Sequence, residues 1–297
     1  MSSKRPKVRK AVLPVAGLGT RFLPVTKAIP KEMLPIVDVP SIQLIVEECV
    51  AAGIEEVVLV TARGKSTMED HFDRAPELEA VLEKRGKTAD LALARKPTEL
   101  ARVSSVRQGE ARGLGHAVLC ARDVVGDEPF AVVLGDDLLD AKVPGIGQLL
   151  DVYERWGTGV VGLKEVPAGT EHMYGIVEGT NVGPREWKLS RLVEKPAPGT
   201  APSRLAAIGR YILPGEIFEI LAETPPGRGG EIQLTDGLAI LCDRRGLHGI
   251  EMEGQRFDAG DRAGYVLAQV HWALKRKEIA ADVRAGLKRI LETDVPE

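Results

Sequence analysis

The stretch Ala16–Pro35 follows directly on an apolar run, Ala11–Val15, and carries Gly17, Gly19, Arg21, Lys27 and Lys31. Glycine lets backbone N–H groups approach an anion closely and adopts a positive φ without a steric penalty. Arginine grips a phosphate with two parallel bonds, and lysine offers a movable point charge. A glycine loop bearing three cations therefore predicts a phosphate cradle, suited to a triphosphate. Pro24, Pro30 and Pro35 oppose a regular helix or strand. The chain here is expected to wrap its ligand in a preset shape, so that little entropy is lost on binding. Two other phosphate loops fail on spacing. The G-x-G-x-x-G fingerprint would need glycine where Phe22 stands, and no G-x-x-x-x-G-K-[ST] is present. A nicotinamide-dependent dehydrogenase is disfavoured with the first of these. A second chemical feature is Asp136 with Asp137, at the end of the apolar run Phe130–Leu134. A strand-terminal carboxylate facing phosphates is a natural Mg²⁺ ligand, since Mg²⁺ takes carboxylate and phosphate oxygens together. No Ser/His/Asp or Cys/His set stands out for nucleophilic catalysis.

The elements that must position these residues follow from periodicity. Residues 8–16 predict a buried strand, 17–40 a long loop, and 41–52 a helix with Ser41 as N-cap. A β-branched strand over 55–61 completes a βαβ unit and hence a parallel sheet. Helices are expected at 65–73, 76–87, 113–125, 145–156, 215–223 and 231–245, and a long one over 262–291. Strands are expected at 101–107, 129–137, 158–166 and 248–257, with shorter ones in YGIVEG, WKLSRLVEKP and LAAIGRYILP. The fold class is α/β: a Rossmann-like, doubly wound, mixed but mostly parallel sheet with a smaller β-rich portion.

The bulk properties exclude several functions. The 297 residues carry 40 Lys and Arg against 43 Asp and Glu, a net charge of −3, which argues against a nucleic-acid binder. Aromatics at 4% leave little for base-stacking platforms. No apolar stretch approaches the ~18 residues of a membrane span, and the basic start MSSKRPKVRK lacks the apolar core of a signal peptide. Residues 1–9 are expected to be a frayed basic tail. Cys49, Cys120 and Cys242 lie far apart and read as reduced thiols of a cytoplasmic protein.

The loop GLGTRFLP…TKAIPKEMLP resembles the signature of the sugar-nucleotide pyrophosphorylases, G-x-G-[ST]-R-x-x-P-x-[ST]-x-x-x-P-K. The extension KEMLP resembles the UDP-glucose branch of that family. The resemblance runs over about residues 8–275, departing in loop lengths around 87–100 and 180–190. It implies the nucleotide-diphospho-sugar transferase type of fold. Residues 10–262 would form one catalytic domain, with a nucleotide-binding part at 10–140 and a sugar-binding part at 141–262. A helical segment would follow at 263–297. It implies nucleotidyl transfer from UTP to glucose 1-phosphate, with Mg²⁺ and in a homo-oligomer, dimer or tetramer. The thymidylyl counterpart and a catalytically silent nucleotide-binding subunit are the alternatives.

By the same resemblance, Ala16, Gly17, Gly19, Thr20, Arg21 and Lys31 would hold the triphosphate. Gln108 and Gly113 would hold the base, the amide suiting the imide edge of uracil. Asp136 and Asp258, the latter in Phe257–Asp261, would ligate the metal, with Asp137 behind them. Gly175, Glu194 and Lys195 would hold the sugar phosphate, and Glu231 would touch the sugar or cap a helix. Arg21, Lys31, Asp136 and Lys195 would carry catalysis. His116 is expected to pack or to donate a hydrogen bond rather than act as a base. Asp261 is expected to cap the helix that follows it.

Overall fold

The computed structural model describes residues 5–293. In chain order it runs through β1 (Lys10–Pro14), the small hairpin β2 (Pro35–Ile36) and β3 (Val39–Pro40), α1 (Ser41–Ala51) and β4 (Glu56–Thr61). Then come α2 (Thr67–Phe72), α3 (Pro76–Lys84), α4 (Thr88–Leu100), β5 (Arg102–Arg107), α5 (Leu114–Leu119) and α6 (Arg122–Val125). Next are β6 (Phe130–Val133), β7 (Asp137–Asp140), α7 (Gly145–Trp156), β8 (Gly159–Glu165), β9 (Gly175–Gly183), β10 (Glu186–Glu194) and β11 (Leu205–Leu213). The chain closes with α8 (Ile217–Glu223), α9 (Leu234–Arg245), β12 (Leu247–Glu251), β13 (Gln255–Asp258), α10 (Arg262–Lys275) and α11 (Ala280–Glu292).

Nine strands form one sheet in the order β5-β4-β1-β6-β11-β8-β12-β10-β9. From β5 to β6 every neighbour is parallel; β11 then runs antiparallel to both β6 and β8, and the far end is the antiparallel hairpin β9/β10. Successive side chains of a strand point to opposite faces, and the burial follows that period. Ala11, Leu13, Val57 and Leu59 join one core under α1, α7 and α10, whereas Val12, Val58, Val60 and Val132 join a second core under α5, α6, α8 and α9. The result is a three-layer α/β/α body. The parallel strands present their carboxyl ends together, and Ala16, Lys65, Gln108 and Asp136 all follow such ends.

Several expectations are corrected. Residues 5–9 dock on the body instead of fraying: Val8 is buried, Arg5 donates to the Tyr153 and Arg155 carbonyls, and Tyr153 Oη donates to the Pro6 carbonyl. Residues 1–4 lie outside the described residues. Ser41 is not a cap. Pro40 holds the cap position, and the buried Ser41 hydroxyl donates to the Glu32 carbonyl at 3.0 Å. The departure at 87–100 is helix α4, and that at 180–190 is the turn of β9/β10. Helix 113–125 is two helices, because short three-residue bonds such as Ala121 N to Val118 O tighten the chain between them.

The strand expected at 129–137 stops at Val133, since Gly135 must pass close to Val15, and a new strand begins at Asp137. The strand expected at 248–257 splits at Gly254, whose φ of +115° turns β13 out of the sheet to pair with β7. The long terminal helix breaks after Lys275, where Arg276 leaves helical dihedrals and pairs with Asp38.

Candidate active site

The glycine loop leaves β1 at the sheet's carboxyl edge. Ala16 is buried, while Gly17, Thr20 and Arg21 face solvent. Instead of a helix, three single 3₁₀ turns form at Thr20–Phe22, Val25–Lys27 and Lys31–Met33, separated by the prolines. Gly19 adopts φ +65°, and a Cβ there would stand 3.1 Å from the Thr26 methyl and 3.2 Å from Lys31 Cβ. Thr26 Oγ1 donates to the Gly19 carbonyl at 2.8 Å, so the loop closes on itself. The C-terminal part clamps it from outside. Arg262 Nε donates to the Arg21 carbonyl at 2.7 Å, and Phe22 meets Tyr265 edge-on at 5.5 Å.

Beneath the loop lies a pair that the sequence did not point to. Glu32 is buried and accepts from Lys65 Nζ at 3.0 Å, while Lys65 also donates to the Val15 carbonyl at the end of β1. Burial pushes the Glu32 carboxyl up and the Lys65 ammonium down, and each charge opposes the shift of the other. The pair ties the 3₁₀ turn that carries Lys31 to the strand that launches the glycine loop. Glu32 stood in KEMLP as part of a pattern; nothing in local spacing joins it to Lys65.

Lys31 Nζ reaches over this pair to the Asp136 carboxylate. Asp258, the last residue of β13, comes to the same place because Ala259 N donates to the Asp136 carbonyl at 2.7 Å. Gly260 N donates to Asp258 Oδ1 at 3.0 Å, and Arg21 Nη1 donates to the Gly260 carbonyl at 3.1 Å. A Cβ on Gly260 would press on Asp136 Oδ2 and stand 3.1 Å from Asp258 Oδ1, so both carboxylates converge over a glycine that leaves them room. Burial pushes the Asp136 carboxyl up, but the Lys31 ammonium more than offsets this and holds it below its ordinary value. Burial and the neighbouring Asp136 push Asp258 up. Two convergent carboxylates that repel one another fit a divalent cation such as Mg²⁺. Among the described residues no third His, Cys, Asp or Glu joins them to make a three-ligand group.

Asp137 is turned away from this pair. Arg256 Nε donates to both its oxygens at 3.0 and 2.8 Å, and the fully buried Arg210 lies 3.3 Å from Oδ1. Arg210 also pairs with Glu48 at 2.6 Å. Arg256 stands over the Tyr174 ring at 5.9 Å, joining the carboxylate end to the segment that carries Gly175.

At that second end, Glu194 and Gly175 are paired across β10 and β9. Lys195 follows with φ +43°, its N–H donating to the Tyr174 carbonyl at 2.9 Å and its Nζ lying 3.2 Å from Glu194 Oε1. Thr235 Oγ1 donates to Glu194 Oε2 at 2.6 Å, and a Cβ on Gly175 would touch both side chains. Burial and the charge of Glu194 push the Asp236 carboxyl up. Thr235 thus belongs to this group, although GEIQLTD was legible only as a motif.

The third group is Gln108 with Gly113. Gln108 N donates to the Thr61 carbonyl at 2.8 Å, and its side chain meets the Gly113 carbonyl and His116. Gly113 has φ +102°, and a Cβ there would lie 2.6 Å from the Ile232 carbonyl oxygen. Ile232 N donates to the Arg112 carbonyl and Gly115 N to the Ile232 carbonyl, each at 2.8 Å. Glu231 stands beside Gly113 and α9 begins at Leu234 without a side-chain cap, so Glu231 is not a capping residue. Asp261 does cap α10, accepting from Gly264 N at 3.1 Å. His116 Nδ1 lies 3.0 Å from the Gln108 amide nitrogen.

Residues 10–272, which include all three groups, match the nucleotidyl transferase family. The chain belongs to that family. This nucleotidyl transferase is 50% identical over 92% of its length to a UTP–glucose-1-phosphate uridylyltransferase of Bacillus subtilis, of which the match covers 94%. It superposes with a TM-score of 0.88 on a UTP-bound UGPase from Acinetobacter baumannii, at 41% identity over 97% of this chain and 100% of that one. A UDP-glucose pyrophosphorylase complexed with UDP-glucose matches with a TM-score of 0.82, at 41% identity over 91% of this nucleotidyl transferase and 100% of that chain.

Proposed function

We propose that this nucleotidyl transferase moves the uridylyl group of UTP onto the phosphate of α-D-glucose 1-phosphate, giving UDP-glucose and pyrophosphate. The observation that carries the reading is the convergence of Arg21 and Lys31 with Asp136 and Asp258 around Gly260. Cations and carboxylates on one spot suit a triphosphate held together with a divalent ion. The relatives named for UTP and glucose 1-phosphate support the choice of substrates.

The sugar phosphate is a dianion near neutral pH and needs no base to become a nucleophile. Its oxygen attacks the α-phosphorus in line, the bond to the bridging oxygen breaks, and pyrophosphate leaves. Catalysis is then positioning and charge neutralisation. Ala16, Gly17, Gly19 and Thr20 offer backbone and hydroxyl donors to the triphosphate, and Arg21 and Lys31 neutralise it and the leaving group. Gln108 and Gly113 hold the base. Gly175 leaves room for the sugar, Glu194 accepts from its hydroxyls, and Lys195 orients the attacking phosphate. Asp136 and Asp258 would hold Mg²⁺, which supplies electrophilic neutralisation of the phosphate oxygens.

The reading extends to a cytoplasmic homo-oligomer, dimer or tetramer. Ile290 and Leu291 of α11 are 57% and 83% exposed, an apolar surface that a second copy would cover. Cys49, Cys120 and Cys242 are all free thiols, in keeping with a reducing compartment.

The test is pyrophosphate release with Mg²⁺, pairing UTP or dTTP with glucose 1-phosphate and UTP with galactose 1-phosphate. Fastest release with UTP and glucose 1-phosphate is expected. A preference for dTTP would make the chain a thymidylyltransferase, and silence with every pair would make it a binding subunit.

A further inference from the structure

The Gln108 side chain is buried at the end of β5. One of its polar atoms lies 3.1 Å from the Gly113 carbonyl oxygen and 3.0 Å from His116 Nδ1. A carbonyl oxygen only accepts, so the atom facing it is the amide nitrogen. That nitrogen has two hydrogens, and both are now committed, one to Gly113 and one to His116. His116 must therefore accept through Nδ1 and carry its proton on Nε2. Burial and the Arg112 guanidinium hold His116 below its ordinary value, which keeps the ring neutral and Nδ1 open near neutral pH. The acceptor is well anchored. Gly113 opens α5 at φ +102°, and the bond from Gly115 N to the Ile232 carbonyl pins the first turn, on which His116 sits.

What Gln108 has left for a ligand is its carbonyl oxygen, an acceptor. We propose that His116 is a positioning residue for base recognition: it locks the Gln108 amide so that Oε1 faces the nucleotide, and the site selects a base with an N–H on its pairing edge. An imide such as uracil has that donor. Cytosine offers a bare ring nitrogen at the same position, and two acceptors would then face each other across a buried contact. Gly113 alone holds one hydrogen of the amide. Without His116 the second is unpaired, so one bond in place of two fixes the amide, and Oε1 is held less firmly toward the nucleotide. The proposal rests on the reading of Gln108 as a base-binding residue and goes beyond it, because it assigns the choice of base to a side chain that need not touch the nucleotide.

The experiment compares kcat/KM for UTP and CTP, with glucose 1-phosphate, in the parent chain and in His116→Leu, His116→Asn and Gln108→Leu. Asn can place Oδ1 where Nδ1 stood and restore the acceptor. His116→Leu is expected to raise KM for UTP about tenfold and to cut the UTP-over-CTP preference by a similar factor, the scale of one buried hydrogen bond. The effect should fall on KM rather than on kcat, and His116→Asn should recover most of it. If Gln108→Leu leaves both KM for UTP and the preference unchanged, the base-binding reading falls and takes the proposal with it. If Gln108→Leu erases the preference while His116→Leu keeps it, the positioning role alone is overturned. The ¹⁵N spectrum of His116 in the wild-type chain, free and with UTP, decides independently of how the variants fold. A neutral ring protonated at Nε2 is expected, and a proton on Nδ1 would refute the proposal.

Discussion

Lys31 and Asp136 are 105 positions apart in the chain and form an ion pair at the centre of the candidate site. The ammonium sits on one of the two carboxylates expected to hold the metal, so a loop cation and a strand-end anion position each other. Removing either side chain should lower turnover by about a hundredfold, ~3 kcal/mol of transition-state stabilisation. Lys31→Ala and Asp136→Ala should both keep the far-ultraviolet circular dichroism of the parent. Near-normal pyrophosphate release from one of them would take that residue out of the mechanism.

The same pair predicts how the protein responds to loss of metal. Asp136 has Lys31, and Gly260 N holds Asp258, so the site is partnered by the chain itself. A chelator should abolish pyrophosphate release and leave Tm unchanged within a degree or two. A large drop in Tm would mean that the cation is part of the fold.

Glu194 is held by Thr235 and lies beside Lys195, at the other end of the site. Glu194→Ala should lose most of its kcat/KM for the sugar phosphate and little of its affinity for UTP. Thr235→Val should act in the same direction more weakly, by about threefold to tenfold, because it removes one hydrogen bond from the carboxylate. Equal losses for UTP and sugar phosphate would contradict the placement of the sugar.

Arg210 is a stability prediction. Its guanidinium is fully buried between Glu48 and Asp137. Burial works against the charge, but the two carboxylates outweigh it and hold the guanidinium protonated even more firmly than usual. Arg210→Met would strand Glu48 in the core, at a cost of about 3–5 kcal/mol in urea unfolding. Glu48→Gln with Arg210→Met should cost less than the sum of the two single changes. Strict additivity would show that the pair contributes nothing as a pair.

Glu79 offers a pH test away from the site. Arg74 and Arg95 hydrogen-bond its carboxylate and hold it down at about 2, from an ordinary value of 4.5. A carboxyl that is more acidic in the folded chain stabilises the fold above its unfolded value, and the contribution fades as pH falls through the window between the two. Glu79→Gln should therefore melt below the parent at pH 7 and pH 5, with the gap closing as pH drops from about 4.5 toward about 2. A gap that stays constant across that range would assign the effect to packing.

The sequence by itself determined most of the elements and the irregular loop that follows the first strand. The continuous apolar runs Ala11–Leu13 and Val57–Val60 set strands buried on both faces, and the glycines and prolines of Ala16–Pro35 opposed an α-helix or a long strand there. These are local properties, set by the residue and its near neighbours, so they can be read along the chain. Motif order along the chain also singles out Gln108, Asp136, Glu194 and Asp258.

Only the tertiary structure decided who meets whom. Lys65 lies under Glu32, Thr235 on Glu194, His116 on Gln108, and Arg210 and Arg256 on Asp137. In most of these pairs the partners are far apart in sequence, and none of the side chains announces the other by spacing. The break points were hidden for the same reason. The strand at 129–137 ends early because Gly135 must clear Val15, and β13 leaves the sheet to bring Asp258 to Asp136. A chain can encode a helix or a strand through local preference, but a buried charge finds its partner only where packing brings the two together and excludes water.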